Sequence, residues 1–123
     1  MNNRTLGSVG EDAACRALKK AGLKILERNW RAPTGEIDII AREKKTYVFI
    51  EVKTRSGTGF GRPSEAVTRA KQQHILRTAM VYLKQNSAVG APVRFDVVEV
   101  LPEGVNHMRG AFDASSLPPS QRF

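Results

Sequence analysis

The chemistry legible in this chain sits on two neighbouring apolar runs, Gly35-Glu36-Ile37-Asp38-Ile39-Ile40 and Val48-Phe49-Ile50-Glu51-Val52-Lys53. Side chains alternate along a strand, so Glu36, Asp38 and Ile40 share one face of the first run. Tyr47, Phe49, Glu51 and Lys53 share one face of the second. The short polar gap Glu43-Lys44-Lys45 makes the two runs a hairpin. A turn through Lys44-Lys45, with Glu43 opposite Thr46, sets Asp38 opposite Glu51 and Glu36 opposite Lys53. A four-residue loop closed by Arg42 and Tyr47 gives the same register, and an odd loop breaks it. Residues so opposed have Cβ atoms about 4.5–5.5 Å apart.

Two carboxylates at that distance raise one another's pKa unless a cation lies between them. Mg²⁺ (or Mn²⁺) suits such a pair, because a hard cation takes one or two carboxylates and keeps several waters. A bound water can then supply a nucleophile, and the ion's charge can stabilise a phosphate under attack. Lys53 is placed to position or deprotonate that water, or to neutralise the phosphate. The competing reading is a solvated face, with Glu36 and Lys53 as an exposed pair worth roughly 0–1 kcal/mol and Asp38 in water. On the residues alone both readings stand.

The elements that must position these groups follow from pattern. Gly7 to Ala21 carries an apolar stripe at helical spacing, with Ser8 and Glu11 as a capping box and Gly22 as the stop. Leu23 to Arg31 reads as an edge-like strand and Ala32-Pro33-Thr34-Gly35 as a turn. Strands are expected over Glu36 to Arg42 and Thr46 to Arg55. A second helix is expected from about Glu65 to Gln85, with Pro63 at its first turn and Ile75, Leu76, Ala79, Met80 and Leu83 buried. Val93 to Leu101 is a further strand, and His107 to Phe112 a short last one. The fold class is therefore α/β, a mixed sheet flanked by helices in the order α-β-β-β-α-β(-β). Residues 1–112 form one domain, and residues 113–123 are expected as a flexible C-terminal tail.

Composition narrows the partners. The chain has 123 residues, 41% hydrophobic, with 20 Lys and Arg against 12 Asp and Glu and a net charge of +8. That surplus favours a polyanion, nucleic acid ahead of an anionic membrane. Cys15 is the only cysteine, which rules out an intramolecular disulfide and a Cys-rich zinc site, and a small buried thiol is expected there. The first twenty residues hold no apolar stretch of signal-peptide length. No run approaches the roughly 20 apolar residues of a membrane span. A cytoplasmic protein is the expectation.

The ordered set Gly10-Glu11, Arg28-Asn29-Trp30-Arg31, Gly35-Glu36-Ile37-Asp38 and Phe49-Ile50-Glu51-Val52-Lys53-Thr54-Arg55 resembles the PD-(D/E)xK nuclease superfamily. With Phe60-Gly61-Arg62-Pro63, Lys71 and Arg94-Phe95-Asp96-Val97-Val98 it is similar, more narrowly, to the YraN family of small proteins related to Holliday-junction resolvases. The resemblance runs to about Phe112, and Ile37 stands where the superfamily's eponymous proline would be. It implies a restriction-endonuclease-like fold and a metal-dependent endonuclease acting on DNA, branched or structured DNA included. It implies Asp38 and Glu51 as metal-binding carboxylates, Lys53 as the catalytic lysine, the Val52 carbonyl as a further ligand and Glu11 as an acid reaching in from the first helix. It also implies a homodimer. The alternative is a nucleic-acid-binding module of the same fold without catalysis.

Other residues carry lesser expectations. Glu11 would serve equally as the capping-box acid of Ser8, a role worth about 1 kcal/mol. Lys71 shares a helix face with His74, Thr78 and Tyr82 and would reach a phosphate as a point charge, or else stand solvated. The glycine-rich stretch from Arg55 to Arg62 matches no nucleotide-loop pattern and reads as a basic flap on a nucleic-acid backbone, with Phe60 stacked on a base or anchoring the loop. His74 and His107 read as structural, and Asp96 as the partner of Arg94.

Overall fold

A computed structural model describes residues 6–55 and 67–123. The elements are α1 (Leu6–Lys20), β1 (Lys24–Ala32), β2 (Gly35–Glu43), β3 (Thr46–Thr54), α2 (Arg69–Gln85), β4 (Val93–Leu101) and β5 (Gly104–Phe112), then two single 3-10 turns at Ala114–Ser116 and Pro119–Gln121. The five strands lie side by side in chain order. Neighbours are antiparallel except β3 and β4, which run parallel and are joined through α2. This is the expected α/β order with its optional last strand, and that strand starts at Gly104 rather than His107.

The sheet is covered on both faces. Under α2 lie Ile40, Phe49, Ile75, Leu76, Ala79, Leu83, Phe95 and Val97. Under α1 lie Ala14, Cys15, Leu18, Ile39, Ala41, Val48, Ile50 and Val98. Alternation along β2, β3 and β4 therefore feeds two cores, and β3, between β2 and β4, serves both.

Local chemistry explains the element ends. Gly22 (φ +97°) terminates α1 in the left-handed region, and the Leu23 N–H reaches back to the Leu18 carbonyl at 3.0 Å. Ser8 lies inside α1 and not at its cap, since the helix already runs from Leu6; the capping-box reading of Ser8 and Glu11 is overturned. The second helix starts later than expected. Thr68 is its N-cap, its hydroxyl accepting the Lys71 N–H at 3.1 Å, so that Val67 is left to bury in the core under α2. The expected starting residues Pro63 and Glu65 lie outside the described residues.

The segment 113–123 was expected as a flexible tail, yet two of its residues, Ser116 and Leu117, are buried. Leu117 is buried under α2, Gln73 donates to the Ser116 carbonyl at 2.7 Å, and Phe123 stacks on Phe95 at 5.7 Å between centroids. Within this polar, proline-bearing stretch Leu117 buries in the core, whereas Phe123 rests on Phe95 with 43% of its surface exposed.

Candidate active site

The β2–β3 hairpin turns through Lys44 and Lys45 with Glu43 opposite Thr46, as the even-loop register requires. The ladder closes from there as far as Ile39 opposite Ile50 and stops. The next pair in that register is Asp38 with Glu51. There the strands part, and the Asp38 carboxylate enters the gap, where its Oδ2 accepts the Val52 N–H at 2.8 Å. A side chain has replaced a backbone carbonyl as partner to a strand amide. Alternation breaks at the same residue: Ile37 packs under α2, whereas Ile39, two residues on, packs under α1. The expected pairing of Glu36 with Lys53 does not form, because beyond Asp38 no ladder holds them together. Glu36 turns to Arg31 at 3.2 Å across β1.

Glu51 points to the α2 side of the sheet, two residues beyond Phe49, and its side chain is only 4% exposed. Two ammonium groups share one of its oxygens. Lys71 Nζ, from the first turn of α2, stands 3.0 Å from Oε1, and Lys53 Nζ, from the same strand, 3.7 Å from it. Burial and the charge of Glu51 push the Asp38 carboxyl up to about 7, against the opposing hydrogen bond from Val52 and the charge of Lys71. Burial pulls the Lys71 ammonium down. Its hydrogen bond to Glu51 and the charges of Glu51, Asp38 and Glu36 outweigh this and raise it. The solvated-face reading is thus not what the residues form: Asp38 and Glu51 act on one another electrostatically in a largely buried place.

The donor set fits a hard divalent cation. Asp38 resists ionisation because it is desolvated and then because of the charge of Glu51, and a cation between two such carboxylates offsets both. Among the described residues no group of three or more His, Cys, Asp or Glu side chains is arranged to hold a metal ion. Glu11 is engaged on two sides. Its charge contributes to the rise at Asp38, but its Oε1 accepts from Asn29 Nδ2 at 3.0 Å and from Arg28 at 3.4 Å. Arg28 also pairs with Asp12 at 2.8 Å. Glu11, expected as a ligand, also ties α1 to β1.

These contacts give the short sequence motifs their physical reasons. Asn29 takes a left-handed φ of 53°, which asparagine tolerates better than most residues, and so its amide and the Arg28 guanidinium both meet α1. Trp30 meets Tyr82 of α2 edge-on at 5.1 Å. A Cβ at Gly10 would collide with the Thr54 hydroxyl and come within 3.2 Å of the Thr54 Cβ, so this glycine lets α1 lie against β3 beside the site.

The expected nucleic-acid contacts divide. Lys71 lies at the site itself. Arg55 is engaged by Glu99 at 2.6 Å, and Glu99, buried on β4 opposite Lys53 in the parallel register, was not singled out in the sequence. A guess at the β3–β4 register would have found it. Arg62 and Phe60 lie outside the described residues. On β4, opposite Ile50, the buried Asp96 binds Arg94 at 2.9 and 3.0 Å, His107 at 2.7 Å and the Gly110 N–H at 2.9 Å. Burial pushes the Asp96 carboxyl up, yet these bonds outweigh it and hold it below the usual range. Asp96 pairs with Arg94 as expected, and His74 tethers α2 to the β1–β2 turn through the Thr34 carbonyl at 3.3 Å.

Fold and site together define an α/β protein with a mixed five-stranded sheet, in which a buried Glu51, flanked by lysines, acts on a half-buried Asp38. The model of the uncharacterised protein family UPF0102 matches residues 10–100, and the chain belongs to that family, the YraN family of the sequence resemblance. A UPF0102 protein of Caldicellulosiruptor saccharolyticus is 52% identical over 100 residues, covering 81% of this chain and 85% of the relative. One of Rhodococcus opacus is 46% identical over 117 residues, covering 90% and 98%. Among solved structures, an EndoMS–dsDNA2 complex matches 85% of this chain at 17% identity with a TM-score of 0.39, and this chain spans 40% of that one's length. Among the described residues no helix is long and apolar enough to cross a membrane.

Proposed function

We propose that this protein is a divalent-metal-dependent endonuclease that hydrolyses phosphodiester bonds in DNA. The observation that carries the reading is the parting of β2 and β3, which brings Asp38 against Glu51 with two lysines alongside. Further support comes from the net charge of +8, which favours a polyanionic partner, and from the resemblance of the ordered motifs to metal-dependent nucleases.

Asp38, Glu51 and the Val52 carbonyl would hold Mg²⁺ or Mn²⁺, completed by water. Bound there, the ion would polarise the phosphate and lower the pKa of a coordinated water. The chain's own residues do the rest. Burial of Asp38 and Glu51 strengthens every charge interaction at the phosphate by lowering the local dielectric. The Val52 N–H fixes the rotamer of Asp38, so that one carboxylate oxygen is committed and the other would be free for the ion. Lys53, on the strand beside Glu51, orients the attacking water or neutralises the phosphate as negative charge builds up. Lys71 adds a second positive charge from the helix. Branched or structured DNA is the substrate class that the resolvase-like resemblance implies.

The test is cleavage of plasmid and branched DNA with Mg²⁺ or Mn²⁺ by the parent, Asp38→Asn and Glu51→Gln. Loss of cutting by at least about 100-fold in both variants, with unchanged circular dichroism, is expected. Equal cutting by all three would sink the metal site. One observation favours a second reading: Lys53 and Lys71 already balance the charge of Glu51. A binding module without catalysis would then hold DNA in a salt-sensitive way, take up no metal and cut nothing.

A further inference from the structure

We propose that Lys71 is an exchangeable counter-ion. It occupies Glu51 while the site lacks a metal, gives way when a divalent cation binds, and is thereby released to a substrate phosphate. This rests on the metal-site reading above and adds a coupling between metal and DNA binding.

Glu51 is buried on a strand and cannot turn to water, so its charge must be met where it stands. Two ammonium groups meet it, and they differ. Lys53 is anchored on β3 two residues from Glu51 and lies at 3.7 Å. Lys71 lies closer, at 3.0 Å, but its side chain is 45% exposed and reaches in from another element. Its place on that element is electrostatically poor. Lys71 sits in the first turn of α2, three residues after the Thr68 cap, in a turn without an acidic residue. The positive end of a helix disfavours a cation there. What holds the ammonium in place is the charge of Glu51, helped by Asp38 and Glu36.

A divalent ion on Asp38 and Glu51 reverses that balance. It neutralises the charges that retain Lys71 and repels the ammonium directly. With half its surface already in solvent, the side chain swings out by rotamer change alone, with no movement of backbone. The freed charge stays at the mouth of the site, where the next anion to arrive is a phosphate of the substrate. By linkage, metal then tightens DNA binding through Lys71, and DNA tightens metal binding by the same factor. The covalent chemistry of the site is untouched by this exchange.

The experiment is a calorimetric Mn²⁺ titration of the full chain in four forms: parent, Lys71→Met, Lys84→Met and Asp38→Asn. Lys84 is an exposed lysine in the last turn of the same helix and controls for loss of one positive charge. If Lys71 competes with the ion, Lys71→Met binds Mn²⁺ roughly tenfold tighter than the parent, whereas Lys84→Met changes by less than about twofold. Equal Mn²⁺ affinity in parent and Lys71→Met, with Asp38→Asn binding none, overturns the exchange and leaves the metal site standing. Tightening by the same factor in Lys71→Met and Lys84→Met also overturns it, as a general charge effect. Failure of every form to take up Mn²⁺ overturns both the exchange and the metal site.

Discussion

Asp38 is the residue on which the site turns, and its titration gives a stability test that needs no substrate. Its carboxyl is pushed up to about 7 in the folded chain, against an ordinary value of 3.8. The folded state therefore holds a proton that the unfolded state has released between those two values. Stability of the metal-free protein falls as pH rises through that window, and the loss is complete above the folded value. Asparagine does not titrate and can still accept the Val52 N–H. Asp38→Asn should therefore be more stable than the parent at about pH 8 and no more stable at about pH 4, read as midpoints of thermal unfolding. Adding Mg²⁺ at the higher pH should raise the parent's midpoint and leave that of Asp38→Asn unmoved. A parent whose advantage over Asp38→Asn grows with pH would contradict the assignment.

At the scale of elements, the site is made by a hairpin that closes at one end and opens at the other. The closed end was legible: the polar Glu43-Lys44-Lys45 between two apolar runs set the register, and Glu43 does lie opposite Thr46. The open end was not, because extrapolating a ladder assumes that backbone keeps pairing with backbone. Asp38 intervenes, and so Glu36 goes to Arg31 and Lys53 to Glu51. Glu11 illustrates the same limit. The resemblance implied that it reaches in from the first helix, while its partners Arg28 and Asn29 come from a strand that only the three-dimensional fold brings near. The start of α2 was misplaced for a local reason, since Pro63 and Glu65 offered a plausible first turn and Thr68 offered a better cap. The approach of α1 to β3 is testable directly. Gly10→Ala should cost about 1–3 kcal/mol, and Thr54→Ala in the same chain should recover part of that loss. A Gly10→Ala protein as stable as the parent by urea denaturation would contradict the close contact.

The whole molecule holds the site by packing both faces of one sheet and adding Leu117 of its C-terminal segment to the core under α2. Segment 113–123 looked expendable because its polar and proline content outweighs its two large apolar side chains. The burial of Leu117 depends on its packing under α2, which composition cannot reveal. Leu117→Ala should accordingly destabilise the fold by about 2–5 kcal/mol in chemical denaturation, as core truncations do, where a free tail would give nothing measurable. The net charge of +8 belongs to the same scale, and in the proposed reading it would draw a polyanion towards a site whose innermost groups are acids. That combination makes chemical sense when a cation stands between the acids and the phosphate. The most direct test is an anomalous difference map from crystals soaked in Mn²⁺. The account predicts one peak bridging the carboxylates of Asp38 and Glu51, with the Lys71 ammonium withdrawn from Glu51. A fully soaked crystal in which Lys71 still rests on Glu51, with manganese bound only elsewhere, would contradict it.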